Sequence, residues 1–404
     1  MKKLAAICAV LALVAVMAQA QDEPKTVSLA VYGQNGSTAV SEIEKSLGVH
    51  AKYVDVDSGD LDMPCVVAAK DLPGEDAASL ASFATGFNLQ LEGDRGVLRV
   101  GLPGESVGGG SVKGYDVSVL AGMYVEYVNN WGAPKRAPAK GEEPEPELTA
   151  AEHLANLIED ALYDLWDEEY AASVVGDRVL FTLHAAGHRR VRELLDILLK
   201  EKGGESTALQ RERSMMEKLK STKLTTEYEA TPISSVLAGI CMQAGVGLVL
   251  GPNAAAECVD YHVKLSFEDT TCWDALQKTL DVLREEDMEI QTGARAGAFA
   301  LGLDGELSGN GYRVFPIADL LKKLNASYER QRTKGDKEDG YSGGLREEGG
   351  NRVVVDALYD LLEATGRSAD CFVYGDRLLV RGSADTIDAA MEILEQMGWE
   401  KPKD

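Results

Sequence analysis

The chain has 404 residues, with 41 Lys and Arg against 66 Asp and Glu, and a formal charge of −25. That acidity disfavours nucleic acid and anionic membrane surfaces; it suits solubility or a basic partner, and a solvated acidic surface is the plainer reading. The apolar share of 45% is ordinary for packed domains, and the length suits two to four of them.

Lys2 and Lys3, the apolar stretch from Leu4 to Met17 and the small-residue site Ala18-Gln19-Ala20 read as a secretory signal cleaved before Gln21. Removing 20 of the 404 residues leaves 384, and losing the two lysines takes the charge from −25 to −27. The stretch is too short to span a bilayer, and no later segment reaches about 18 consecutive apolar residues. Cys8 sits too near the start for a lipoprotein cysteine. The expected location is periplasmic or otherwise extracytoplasmic, without membrane insertion.

Residues 21–103 read as a first module. Val27 to Tyr32 is a strand, and a helix carrying Val40, Ile43 and Leu47 stops at Gly48. Val49 to Val56 and Cys65 to Ala69 are strands; a second helix carries Ala77, Leu80, Ala81 and Ala84. Asn88 to Leu91 and Val97 to Val100 form a hairpin. Gly101 to Gly114 reads as a flexible joint. Residues 115–200 read as a second module. It opens with a strand at Tyr115 to Val119, followed by a polar insertion at Gly132 to Glu147. Then come a helix with Leu154, Leu157, Ile158, Leu162 and Leu165 inward, a hairpin at Gly176-Asp177, and a last helix with Val191, Leu194, Leu195 and Leu198.

Residues 201–221 form a charged linker, helical in part. Residues 222–303 repeat the first pattern: strand Lys223–Tyr228, a helix with Ile233, Val236, Leu237, Ile240, Cys241 and Ala244 on one face, strand Val246–Leu250, and a turn at Gly251-Pro252-Asn253. Strand Tyr261–Phe267 follows, then a helix capped by Thr271 and a hairpin at Glu289–Thr292 and Ala298–Leu303. Residues 312–400 repeat the second pattern, with a strand at Tyr312 to Pro316 and a polar insertion at Arg330 to Asn351. The duplication is visible letter by letter. Asp160-Ala161-Leu162-Tyr163-Asp164-Leu165 recurs as Asp356-Ala357-Leu358-Tyr359-Asp360-Leu361, and Gly176-Asp177-Arg178 as Gly375-Asp376-Arg377. The expected fold class is α+β, small modules of order βαββαββ and βαββα, the pair present twice.

The βαββαββ unit, with its strand, polar-Pro, helix, Gly-Val, strand opening at Glu229 to Leu250, resembles the short N-terminal domain of secretins and TonB-dependent receptors. The βαββα unit that follows resembles the ring-building N-domains of secretins. The resemblance rests on element order and apolar pattern. The first copy departs from it, with Asn35-Gly36-Ser37-Thr38 at the helix start. The resemblance implies a periplasmic place and contacts with protein partners of the cell envelope, self-association included. No barrel region follows, so pore formation by this chain alone is not expected.

Chemical sites are sparse. Asp55, Asp57, Asp60 and Asp62 make a calcium candidate, because clustered carboxylates suit a hard cation. Their spacing is not that of an EF-hand loop, so a solvated acidic turn is preferred and no metal is assigned. His184 and His188 are four apart across a strand-to-helix boundary and read as surface or capping residues. Five cysteines follow the signal (Cys65, Cys241, Cys258, Cys272 and Cys371), with no C-x-x-C pair. The end of one helix and the start of the next should lie together, which makes Cys241 and Cys272 a disulfide candidate; two buried free thiols are the competing reading. No nucleophile elbow, phosphate loop, zinc-helix or dinucleotide fingerprint occurs. No catalytic residue and no cofactor is expected. The leading expectation is a non-enzymatic assembly or adaptor protein. A periplasmic regulatory module binding a peptide or glycan comes second, and an enzyme of unfamiliar type last.

Overall fold

Two kinds of strand occur in this chain, and the difference decides how its halves join. Cys65-Val66-Val67-Ala68-Ala69 and Leu248-Val249-Leu250 are apolar without a break, which suits strands buried on both faces. His262 to Phe267 and His50 to Tyr53 alternate with charge, which suits strands with one wet face. The computed structural model describes residues 26–92, 96–102, 110–131, 148–163, 171–286, 288–303, 306–307, 311–334 and 350–402. The expected signal segment, the insertion at 132–147, Leu165 and most of the insertion at 330–351 lie outside them. The protein is mixed α+β, with helices packed on several small sheets.

In the first half, β1 (Thr26–Asn35) pairs antiparallel with β3 (Pro64–Pro73). A separate sheet places β2 (His50–Tyr53) parallel to β5 (Val97–Gly101), with β4 (Asn88–Glu92) antiparallel beyond it. Helices α1 (Gly36–Leu47) and α2 (Gly74–Thr85) pack against both sheets. Gly48 ends α1 in the left-handed region, at φ 69°, where a side chain would be strained.

The second half has β10 (Lys223–Pro232) against β12 (His262–Thr271). Its β11 (Leu248–Leu250) runs parallel to β14 (Ala298–Leu303), with β13 (Ile290–Arg295) antiparallel at the edge. Helices α7 (Ile233–Gln243) and α9 (Cys272–Glu285) supply the core between. One expectation is corrected here. The turn at Gly251-Pro252-Asn253 opens a helix, α8 (Pro252–Asp260), with Pro252 in its first turn and Ala254, Ala255 and Cys258 buried.

The two halves share one sheet. β3 pairs antiparallel with β11, Val66 opposite Leu250, Val67 opposite Val249 and Ala68 opposite Leu248. The result is a five-stranded sheet in the order β1-β3-β11-β14-β13. Cys65, Val67, Ala69 and Val249 join the core of α1 and α2, whereas Val66, Ala68, Leu248 and Leu250 join that of α7 and α9. The period of two sends alternate residues to opposite faces, and both faces are covered.

The remaining modules stack rather than share a sheet. β6 (Ser111–Asp116), β8 (Arg178–Leu183) and β7 (Ala171–Val175) form a sheet in the order β6-β8-β7, packed with α3 (Ser118–Trp131), α4 (Ala150–Ala161) and α5 (Ala185–Leu199). The strand expected at Tyr115 to Val119 therefore begins earlier. The chain turns into α3 once Val117 N–H has bonded to the Asp177 carbonyl and Ser118 N–H to the Asp116 carboxylate. In the second half, β16 (Asp370–Tyr374), β17 (Arg377–Arg381), β15 (Tyr312–Pro316) and β9 (Gly204–Glu205) make a four-stranded sheet with α10 (Ala318–Lys334), α11 (Gly350–Ala364) and α12 (Ala384–Gln396). One face of this sheet serves its own helices. The other, carrying Tyr312, Val314, Tyr374 and Leu379, is buried in the core of the first half's α4 and α5.

The charged segment expected as a linker is a strut. Ser206 caps α6 (Thr207–Ser221), and Leu209, Met215 and Leu219 are its buried face. Its two flanks carry ion pairs: Arg211 with Asp76 of α2 at 2.9 Å, and Arg213 with both carboxylate oxygens of Asp388 on α12 at 2.8 and 2.5 Å. Arg189 on α5 also pairs with Glu75 on α2. These contacts tie the modules into one packed body.

Candidate interaction sites

Two places are built to receive something. The first is a cleft of about 340 Å³ between the halves. Its floor is the outer face of β1 and β3, where Ser28, Ala30 and Ala68 are small. The pairing of β3 with β11 ends at Ala68 and Leu248, and the chain enters β11 through Gly247. A Cβ on Gly247 would lie 3.0 Å from the Cβ atoms of both Ala69 and Ala298, so the strand can come this close only as glycine. At one end Tyr32 donates its hydroxyl to Met242 Sδ at 3.3 Å, bridging β1 to α7. Lys70 stands exposed among the lining residues. The outer edge of β1 is closed separately, by Glu42 accepting the Ala30 N–H at 3.1 Å. The cleft can take an apolar group of modest size.

The second is the outer face of β6-β8-β7. Val112 and Val175 are each 65% exposed, and Leu180 between them is half-buried. The strand register makes this face the counterpart of the buried face in the second half. Val112 lies opposite Thr182 as Tyr312 lies opposite Arg381; Gly114 lies opposite Leu180 as Val314 lies opposite Leu379. The same kind of face is covered in one half and open in the other.

The sheet is anchored from its inner side. His188 on α5 is buried, with Nε2 2.6 Å from the Ser111 carbonyl and Nδ1 2.8 Å from the Tyr115 hydroxyl. A carbonyl only accepts, so Nε2 carries the proton and Nδ1 accepts from Tyr115. Burial holds the His188 pKa below its usual value, the bond to Ser111 opposing it. His184 accepts the Gly187 N–H at 2.8 Å and caps α5 as expected; His188 is a core anchor rather than a surface group.

The aspartate cluster is not brought together as a ligand set. Asp60 accepts the Asp57 N–H at 2.7 Å across a single 3₁₀ turn, Asp62 accepts from Asn35 at 2.6 Å, and Asp55 holds a left-handed φ of 54°. Among the described residues, no group of three or more His, Cys, Asp or Glu side chains converges as a metal site would require. Cys241 and Cys272 do share one core, but as free thiols, as are Cys65, Cys258 and Cys371. Burial raises the Cys241 pKa, and the neighbouring Cys272 raises it further. Burial pushes the Cys65 thiol up to about 12.

Sequence patterning passed over both interaction sites, because each depends on which strand lies beside which. One signal was present. An unbroken apolar run at Cys65 to Ala69, where the corresponding strand His262 to Phe267 alternates, marks a strand that must be covered twice. Neither family models, nor curated proteins, nor solved structures yield a match to this chain.

Proposed function

We propose that this chain is an exported, non-enzymatic assembly or adaptor protein of the cell envelope. In this reading it consists of two tandem pairs of modules, each a secretin/TonB short N-terminal-like unit followed by a secretin N-domain-like unit, working in the periplasm after cleavage near Ala20. Its partners are proteins, itself included, and no cofactor takes part. The observation that carries the reading is the way the halves join. A strand edge accepts another strand at β3 and β11, and a sheet face accepts a helix pair at β16-β17-β15. Both are general modes of protein–protein contact. The chain thus uses within itself the surfaces such modules would offer to partners.

Photo-crosslinking in the intact cell envelope tests it, with the probe placed in turn at Val112, Val175, Tyr32 and Leu361. Discrete adducts at one surface are expected. A processed, folded protein that forms none at any of the four sinks the reading. A second reading, a ligand-sensing module, is favoured by the cleft between the halves. Protection of Tyr32 and Met242 from chemical labelling by an envelope extract depleted of protein would favour it over the first.

A further inference from the structure

The internal joint between the second modules is a template whose two ends are both uncovered among the described residues. On α4, Leu157 and Ala161 are buried within the core that covers the second half's sheet, and the Ala161 carbonyl accepts from Arg381 of that sheet at 3.1 Å. The repeated hexapeptide puts Val353 and Ala357 of α11 at the same positions, with Leu361 one turn further on. Val353 and Ala357 are only half-buried, and Leu361 is 47% exposed. These three lie at i, i+4 and i+8, a single stripe along the helix. At the other end of the stack, Val112 and Val175 are each 65% exposed, and no described residue packs over the face of β6-β8-β7.

We propose that the α11 stripe of one chain docks on the β6-β8-β7 face of a second copy, so that chains associate head to tail. The proposal rests on the assembly reading above and names its partner. A second copy is the occupant because this chain already contains the fit: the same helix, at the same repeat position, covers the counterpart face. Charge agrees, since Arg178 is exposed on the face and Asp360 is exposed beside the stripe. The other two ends of the molecule do not repeat their internal joint. The β2-β5-β4 sheet presents exposed His50 and Lys52, and Lys264 on β12 holds the position that Val66 holds on β3. Lysine on a strand edge discourages pairing. A head-to-tail contact uses two different surfaces, so each chain keeps one of each free and growth continues unless a ring closes.

The test is the solution mass of the processed chain by light scattering and sedimentation, at concentrations up to about 100-fold apart. The wild type is expected to grow in mass with concentration. Val175→Asp and Leu361→Asp should each weaken association at least about tenfold with melting temperatures unchanged, since both positions are exposed. Mixing the two variants is decisive. Each retains the surface the other has lost, so a one-to-one dimer that does not grow is expected. A wild type that stays monomeric, two variants that associate like the wild type, or a mixture that stays monomeric overturns the proposal. A monomer that still gives envelope cross-links to other proteins removes self-docking and leaves the adaptor reading standing.

Discussion

Arg381, on β17 of the second half, donates to the main-chain carbonyl of Ala161 at the end of α4 in the first half, 3.1 Å away, and its guanidinium lies 4.1 Å from the centre of the Tyr163 ring. The side chain is 2% exposed. A helix C-terminus carries unpaired carbonyls and partial negative charge, so a buried cation there satisfies both. Ala161, in the first copy of the repeated hexapeptide, thus ends α4 on this arginine.

Replacing Arg381 with Met keeps the apolar stem and removes the charged donor. A charged hydrogen bond plus a desolvated cation–π contact is worth about 2–4 kcal/mol, so urea unfolding should show a loss of that order. A loss below about 0.5 kcal/mol would mean the two halves are not held here.

The shared sheet predicts an unequal response of twin positions. Leu248 of β11 is fully buried, and Leu248→Ala should cost about 2–5 kcal/mol in chemical unfolding. Its counterpart is already alanine, Ala51 on β2, half-buried in an edge strand. Ala51→Gly should therefore cost only about 1 kcal/mol, chiefly through backbone entropy.

Gly203 sits at φ 69°, and a Cβ there would lie 2.1 Å from the Val314 carbonyl oxygen. Gly203→Ala forces β9 away from β15. A destabilisation of at least about 1–3 kcal/mol is expected, with faster hydrogen exchange at the Ser206 amide, which donates to the Tyr312 carbonyl at 2.9 Å. Wild-type exchange in the variant would contradict the placement of β9.

His188 makes the first half sensitive to mild acid. Its folded pKa is held below the unfolded value by burial, so the unfolded chain takes up the proton first. The stabilising contribution is complete above the ordinary histidine pKa and is lost as pH falls from there toward the depressed folded value. His153, stacked 5.0 Å from Tyr124, is also lowered by burial and adds in the same direction. Melting temperature should fall between about pH 7 and pH 5, and His188→Asn should flatten that slope. A slope unchanged in the variant rules His188 out as its source.

Lys52 and Lys264 stand on edge strands, β2 and β12. Lys52→Val with Lys264→Val should raise light scattering on standing without lowering the melting temperature. For the thiols, a non-reducing peptide map should return Cys241 and Cys272 unmodified. In the native protein Cys65 should resist alkylation at pH 8 until denaturant is added, because burial raises its pKa to about 12.

Sequence legibility was uneven for a physical reason. Helices were readable because their signals are local. Thr271 accepts from the Asp274 N–H and caps α9, and Val191, Leu194, Leu195 and Leu198 form one buried stripe on α5. The start of β6 and the helix α8 were missed where polar and small residues carry no period, at Ser111 to Gly114 and at Pro252 to Ala256. The charged run at 201–221 was legible as partly helical, which α6 is, but its packing role was concealed because its few buried residues are outnumbered by polar side chains.

By itself the sequence determined the alternation of short strands and amphipathic helices and showed the repeated hexapeptide, because spacing and turn residues act within a few positions. It also placed a strand at Cys65 to Ala69. Only the tertiary structure decided that β3 pairs with β11, that α4 covers β16-β17-β15, and that β6-β8-β7 and the α11 stripe are left uncovered among the described residues. Those outcomes join residues about 180 or more apart, and no local periodicity specifies which of two similar edges or faces will meet.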